Sequence, residues 1–131
     1  MIALDFDGVI ANYGDHVSHT CYNVDLLSLL PGQQPVAICS NQGGMAFSRA
    51  NPDRYPSPDR VADRLWAGTH FLRRYGYPVQ AIYVSAWHPK AADADIQAVA
   101  VRLRERLRIS VPVWRVYTTE RARKPHPLML R

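Results

Sequence analysis

Short apolar runs alternate along this chain with segments of helical pattern, and this alternation limits the fold more than any other feature. The first run covers 2–7 and is closed by Gly8, and the second, 36–39, is followed by the polar cluster SNQGG. Runs this short and this apolar are typical of buried strands. Two further runs, QAIYVSAWHP (80–89) and VPVWRVY (111–117), read in the same way, so four strands are predicted.

Helices are predicted between these strands. A short apolar helix lies around 26–30 and ends at Pro31. The clearest helix has Ser57 as its N-cap and Pro58 at its first position, and it ends at Gly76. The predicted buried face of that helix carries Val61, Leu65, Leu72 and Tyr75, and the face of the next helix, 93–108, carries Ile96, Val99, Ala100, Leu103 and Leu107.

Strands that alternate with helices predict an α/β fold with a doubly wound, mainly parallel sheet. We expect a single domain over 1–131 with no large cap domain, because the loop 11–23 is too short to fold separately. Ligands of such sheets bind beyond the carboxyl ends of the strands. The polar side chains at those ends are Asp5, Asp7, Ser40, Asn41 and Ser85.

The charge and composition of the chain limit the classes of function that it can have. The 131 residues carry a net charge of +5, with basic residues concentrated from Arg102 onward, which favours an anionic ligand such as a phosphate ester or nucleic acid. The chain has no run of about 18 apolar residues and no signal-peptide layout. We therefore expect a cytoplasmic protein without a membrane partner. Cys21 and Cys39 lack metal-ligand spacing and are expected to be buried free thiols.

Asp5 and Asp7 are the unexpected residues of the first apolar run. Two carboxylates there are costly without a cation, and oxygen ligands suit Mg²⁺. An aspartate can also attack phosphorus as a nucleophile, and Gly8 lets the backbone approach a ligand closely. The SNQGG cluster offers a hydroxyl, amides and backbone N–H groups to phosphoryl oxygens. Each feature also has a structural alternative: a solvated strand end for the two aspartates and an ordinary turn for SNQGG. Lys124, which lies in a basic segment before Pro125, is alternatively a solvated charge.

Three segments resemble motifs of the haloacid dehalogenase superfamily of phosphotransferases. DFDGVI (5–10) resembles the first motif, CSNQGG (39–44) the second and RKPHPLM (123–129) the third. The second and third are most similar to those of histidinol-phosphate and heptose-bisphosphate phosphatases and of the 3′-phosphatase domain of polynucleotide kinases. The resemblance implies that Asp5 is the nucleophile and that Asp7 is the general acid and base.

The same resemblance implies the rest of a phosphatase site. Ser40, Asn41 and Lys124 would bind the phosphoryl group, and Ser40 and Lys124 would take part in catalysis. Mg²⁺ would be held by the Asp5 carboxylate and the Asp7 backbone carbonyl. The implied substrate is a phosphorylated small molecule or a nucleic-acid end. Zinc is not expected, because the segment 85–95 has His88 without a cysteine.

The family's fourth motif, an acidic pair on a strand after the lysine, has no counterpart in the residues that follow Lys124. We expect the sheet to lack that strand, magnesium binding to be weak, turnover to be slow, and a homo-oligomer or a partner segment to complete the sheet. Three functions stay open. They are a magnesium-dependent phosphomonoesterase, a weakened or split relative that binds phosphate or a partner, and a receiver-like signalling domain. A receiver needs a phosphoacceptor aspartate at a mid-chain strand end, but Asp53 and Asp59 sit in a proline-rich loop.

Overall fold

A computed structural model describes residues 1–12, 22–31, 33–108 and 111–120. The predicted strands and helices are present within these ranges. In chain order the elements are β1 (Ile2–Asp5), α1 (Val24–Leu29), β2 (Val36–Asn41), a 3₁₀ turn (Gly43–Phe47), α2 (Pro58–Arg74), β3 (Val79–Ser85), α3 (Asp93–Arg106) and β4 (Val113–Tyr117).

The strands form one all-parallel sheet in the order β1-β2-β3-β4, which confirms the α/β class. Crossovers between parallel strands are right-handed, so a sheet whose strand order never reverses has its crossover helices on one face. Helices α2 and α3 do pack against each other. A doubly wound sheet contains a reversal of strand order. The described strands contain none, so double winding stays a prediction.

The core lies between the sheet and the helices, with β2 at its centre. Residues 36–40 of β2 are all buried. The predicted helix faces are largely confirmed, since the buried residues include Val61, Leu65 and Leu72 of α2 and Ile96, Ala100, Leu103 and Leu107 in and after α3. Val99 is half-buried. Tyr75 is 51% exposed, against prediction, because it is the C-cap of α2 and lies at the end of the packed face, where its ring contacts Phe71 at 5.4 Å between centroids.

The predicted ends of α2 are confirmed. The Ser57 side chain accepts the backbone N–H of Arg60 at 3.2 Å, and Pro58 is the first helical residue. Gly76 has a φ of +87°, the left-handed conformation with which glycine ends helices. These caps define the full length of α2, which carries residues of both the core and the candidate site.

The first strand is shorter than predicted: it ends at Asp5, whereas the sequence predicted a strand up to residue 7. The Phe6 carbonyl accepts the backbone N–H groups of Ile10 at 3.0 Å and Ala11 at 3.1 Å. Gly8 has a φ of +80°, which favours glycine and lets the chain turn back. Asp7 therefore lies in a tight turn beyond the strand.

Two expectations from composition can be compared with the described residues. Cys39 is a buried free thiol, as predicted, whereas Cys21 lies outside the described ranges. Among residues 1–12, 22–31, 33–108 and 111–120, none of the helices combines the length and apolar character needed to cross a membrane.

The packing of α3 leads to a stability prediction. Leu103→Ala should lower the free energy of unfolding by about 2–5 kcal/mol, because Leu103 is fully buried and the substitution leaves a cavity. Val101→Ala, in the same helix but 51% exposed, should change it by less than about 0.5 kcal/mol. Urea denaturation measures both, and equal decreases would mean that α3 does not pack as described.

Candidate active site

The polar side chains of the first two motifs lie at one edge of the sheet, where β1 and β2 end. Asp5 is paired in register with Cys39, so it lies beside the residue that precedes Ser40. The Asp5 carboxylate is exposed, and its Oδ1 accepts the backbone N–H of Phe6 at 2.8 Å. An exposed carboxylate at this edge is accessible to a ligand.

Asp7 is held more tightly than Asp5. Its Oδ1 accepts a hydrogen bond from Arg64 Nη1 at 2.8 Å, and its Oδ2 accepts one from Gln42 Nε2 at 2.8 Å. The Asp7 side chain is only 20% exposed. The turn at Gly8 brings the chain back so that the Asp7 carboxylate and the Asn12 carbonyl bind the same arginine side chain, Arg64.

Gln42 joins the first two motifs. A side-chain amide nitrogen carries two N–H groups, and those of Gln42 reach Asp7 Oδ2 at 2.8 Å and Ser40 Oγ at 2.7 Å. The Gln42 backbone N–H donates to the Ser85 carbonyl at 2.8 Å, which anchors the loop to the end of β3. Ser40 is 1% exposed, and because its oxygen accepts from Gln42, its own O–H is left to donate.

Arg64 is the site residue that sequence reasoning missed. Its side chain is 4% exposed and forms an ion pair with Asp7, while its Nη2 donates to the Asn12 carbonyl at 2.8 Å. The guanidinium carbon also lies 5.0 Å from the centre of the Phe6 ring. A signal was available, because position 64 falls on the predicted apolar face of α2 beside Val61. An arginine at a core position calls for a buried partner.

The loop after β2 packs closely against the loop after β3. A Cβ atom on Gly43 would overlap the backbone carbonyl oxygen of Trp87, so this approach requires glycine. Ser85 is also buried here, at the end of β3, and its hydroxyl has no hydrogen-bond partner within the described part of the chain. The polar edge predicted from the strand ends therefore extends across β1, β2 and β3.

The two aspartates differ as potential metal ligands. The Asp7 carboxylate already binds a guanidinium and an amide, so Asp5 offers the accessible carboxylate. The described residues contain no cluster of three His, Cys, Asp or Glu side chains. Mg²⁺ commonly binds one or two protein oxygens and completes its shell with water and phosphate. The oxygen donors of Asp5 and of the Asp7 backbone fit that ion.

The described residues cover only part of the predicted site. Asp5, Asp7 and Ser40 come together at one sheet edge, with Asn41 half-buried at the end of β2 and paired in register with Ser85. Lys124 and the rest of the third motif lie outside the described residues. The predicted meeting of Lys124 with Ser40 therefore stays a prediction.

No protein-family model, curated protein or solved structure matches this chain. The resemblance to the haloacid dehalogenase superfamily therefore rests on the three motifs.

The buried ion pair can be tested with a double-mutant cycle on Arg64→Met and Asp7→Asn. The two substitutions should couple by roughly 0.5–3 kcal/mol in unfolding free energy, because each single variant removes one charge of the pair and leaves the opposite charge without its counter-charge. The matched control is Arg102→Met with Asp59→Asn, an ion pair whose side chains are 51% and 45% exposed. Solvent screens that pair, so its coupling should be clearly smaller. Equal coupling in the two cycles would contradict the burial of Arg64.

Proposed function

We propose that this chain is a magnesium-dependent phosphomonoesterase of the haloacid dehalogenase type, acting on a phosphorylated small molecule or a nucleic-acid end. One observation carries the proposal: Gln42 bonds both Asp7 and Ser40, at the sheet edge where β1 ends in the exposed Asp5. Residues from two motifs distant in sequence thus form one polar cluster at the sheet edge where ligands bind in α/β folds.

The proposed reaction has two steps. A carboxylate oxygen of Asp5 attacks phosphorus, a bond forms between them, and the ester oxygen leaves with its electron pair and takes up a proton from Asp7. Water then attacks the phosphorus of the aspartyl phosphate, and Asp7 accepts a proton from that water. The bond between phosphorus and the Asp5 oxygen breaks, which restores the Asp5 carboxylate, and phosphate leaves. The Ser40 O–H is a donor suited to a phosphoryl oxygen, and the positive charge of Lys124 would neutralise the group in transfer.

When bound, Mg²⁺ would reduce the repulsion between the Asp5 carboxylate and the anionic phosphate. The residues that would hold it are Asp5, through its carboxylate, and Asp7, through its backbone carbonyl. Because Arg64 and Gln42 already engage both oxygens of the Asp7 carboxylate, the metal is assigned to the backbone carbonyl of Asp7 and not to its side chain.

The contacts of Asp7 suit one of its two proposed roles better than the other. Both of its carboxylate oxygens accept hydrogen bonds, which is the arrangement of a base. Each oxygen keeps a second lone pair beside the one that accepts a hydrogen bond, so Asp7 would deliver a proton to a leaving group from that second position. Hydrogen bonds of catalytic groups often rearrange when substrate binds, so substrate entry is the step at which we expect the contacts with Arg64 and Gln42 to adjust.

A second candidate, a phosphate-binding relative with weak or no turnover, is favoured by a specific observation. Both oxygens of Asp7, the proposed acid and base, are already engaged by Arg64 and Gln42. Such a protein would bind phosphate without hydrolysing esters. The receiver-like alternative has less support, because β2 and β3 end at Asn41 and Ser85 rather than at an aspartate.

The edge of β1 bears on the proposed partner. Among the described residues β1 pairs only with β2. An unpaired strand edge is a template for another strand. A second copy of the chain, or a partner segment, that paired with β1 would lie beside Asp5, where the haloacid dehalogenase fold requires its fourth motif.

The role of Asp5 can be tested by substitution. Asp5→Asn should abolish hydrolysis of an aryl phosphate in the presence of Mg²⁺, because an amide of nearly the same shape cannot attack phosphorus. Asp53→Asn, which removes an exposed carboxylate from the loop before α2, is the control and should leave the rate unchanged. Hydrolysis that persists in Asp5→Asn would refute the proposed nucleophile.

The role of Asp7 predicts a dependence on the leaving group. Asp7→Asn should slow hydrolysis of an alkyl phosphate by roughly 10²–10⁴-fold, the usual contribution of a general acid. An aryl phosphate has a good leaving group and should be slowed less in the first step. The ratio of the two rates under single-turnover conditions measures this effect. An unchanged ratio would mean that Asp7 does not protonate the leaving oxygen.

A further inference from the structure

A groove of about 750 Å³ runs along one side of α2, next to the segment that returns from the loop after β1. Its volume is within the roughly 300–1,000 Å³ typical of ligand pockets. Among the described residues, aromatic and basic side chains dominate its lining, which includes Tyr22, Trp66, His70, Phe71, Arg73 and Arg74. The proposed reaction uses none of these residues.

The aromatic rings of the groove are already ordered against one another. Tyr22 stacks on Phe71 with ring centroids 4.8 Å apart and an interplanar angle of 16°. Trp66 packs on His70 with centroids 4.0 Å apart, and Trp66 is 52% exposed. A large exposed indole supported by a neighbouring ring is a platform on which a planar group can stack.

The charge of the groove indicates which kind of planar ligand would bind there. Arg73 and Arg74 line the end of the groove at the last turn of α2, and the described lining residues include no acid. Arginine binds phosphate through paired hydrogen bonds. Stacking surfaces combined with arginines are complementary to the bases and phosphates of a nucleic acid, whereas an apolar peptide would not match the cationic end.

The length and position of the groove favour a nucleic-acid strand over a single base. From Trp66 to Arg74 the helix rises about 12 Å, at 1.5 Å per residue, which is several times the roughly 3.4 Å of axis that each nucleotide of one strand occupies in a duplex. The groove also adjoins the candidate site, because Tyr22 forms a β-bridge with Ala11, which in turn bridges to Asp7. Burial raises the pKa of the Tyr22 phenol, and the nearby charge of Arg64 partly opposes that rise, which places Tyr22 within the electrostatic reach of Arg64.

We propose that this groove binds single-stranded nucleic acid, with bases stacked at Trp66 and His70 and phosphates at Arg73 and Arg74. Binding to the groove does not depend on the proposed function. Only the further inference that the bound nucleic acid is also the substrate rests on the proposed function.

The test measures binding of a fluorescently labelled single-stranded oligonucleotide with hydroxyl ends, which offers no phosphomonoester to hydrolyse. Fluorescence anisotropy should show that Trp66→Ala weakens binding about tenfold, the effect of removing the stacking surface for one base. Trp66→Phe keeps a ring and should retain most of the affinity. Circular dichroism spectra of the variants control for folding, and a decrease of binding in Trp66→Phe equal to that in Trp66→Ala would contradict stacking.

The arginines are tested by the salt dependence of the same binding. Arg73→Gln with Arg74→Gln should reduce the slope of log affinity against log salt by about 1.4, because each phosphate of a single strand that an arginine neutralises adds about 0.7 to that slope. Arg102→Gln with Arg106→Gln removes the same charge from α3, outside the groove, and should change the slope less. Equal changes in the two double variants would mean that net charge, not the groove, attracts the strand.

Three further outcomes would overturn the proposal: no binding by the wild-type chain, equal binding of a duplex of the same sequence, or full competition by a free mononucleotide at equal concentration. Asp5→Asn separates this inference from the proposed function, because it should bind the oligonucleotide as the wild type does. Groove-dependent binding by a wild-type chain that hydrolyses no phosphate ester would support the groove and refute the phosphatase.

Discussion

The buried guanidinium of Arg64 sets the geometry of the candidate site. A buried cation is tolerated only with a carboxylate and further acceptors around it. Arg64 has these in Asp7 and the Asn12 carbonyl, and its flat face lies over Phe6. The chain after β1 must turn at Gly8 to bring both acceptors to the same side chain. The position of Asp7 therefore follows from the packing of α2 as much as from any ligand.

The same contacts that order the site also restrain its chemistry. Gln42 and Arg64 orient Asp7 without a ligand, and buried hydrogen-bond networks of this kind are rigid when fully satisfied. Both contacts treat Asp7 as an acceptor, which suits a base directly, whereas donating a proton would use a lone pair outside these contacts. The proposed phosphatase and the phosphate-binding alternative therefore differ in whether Asp7 can donate a proton while Arg64 and Gln42 hold it.

The structural features that depend on local sequence pattern were predictable from the sequence. The features that depend on contacts between residues distant in sequence were not. The strands and helices were predictable from apolar periodicity, and the shared edge of Asp5 and Ser40 from the parallel sheet. The end of β1 was not, because it depends on backbone hydrogen bonds to the Phe6 carbonyl. Gln42 was visible only as part of a polar loop, since its partner Asp7 lies 35 residues away. The buried role of Arg64 likewise arises only when α2 packs.

The central claim is that Asp5 forms a covalent phosphoryl intermediate at this sheet edge. The most direct measurement is mass spectrometry of the chain acid-quenched during a single turnover of an aryl phosphate with Mg²⁺, with the modified residue located by peptide sequencing. The account predicts one phosphoryl group on Asp5, at its highest level before free phosphate has fully appeared. Turnover with no phosphorylated residue, or with the group on a side chain other than Asp5, would contradict it.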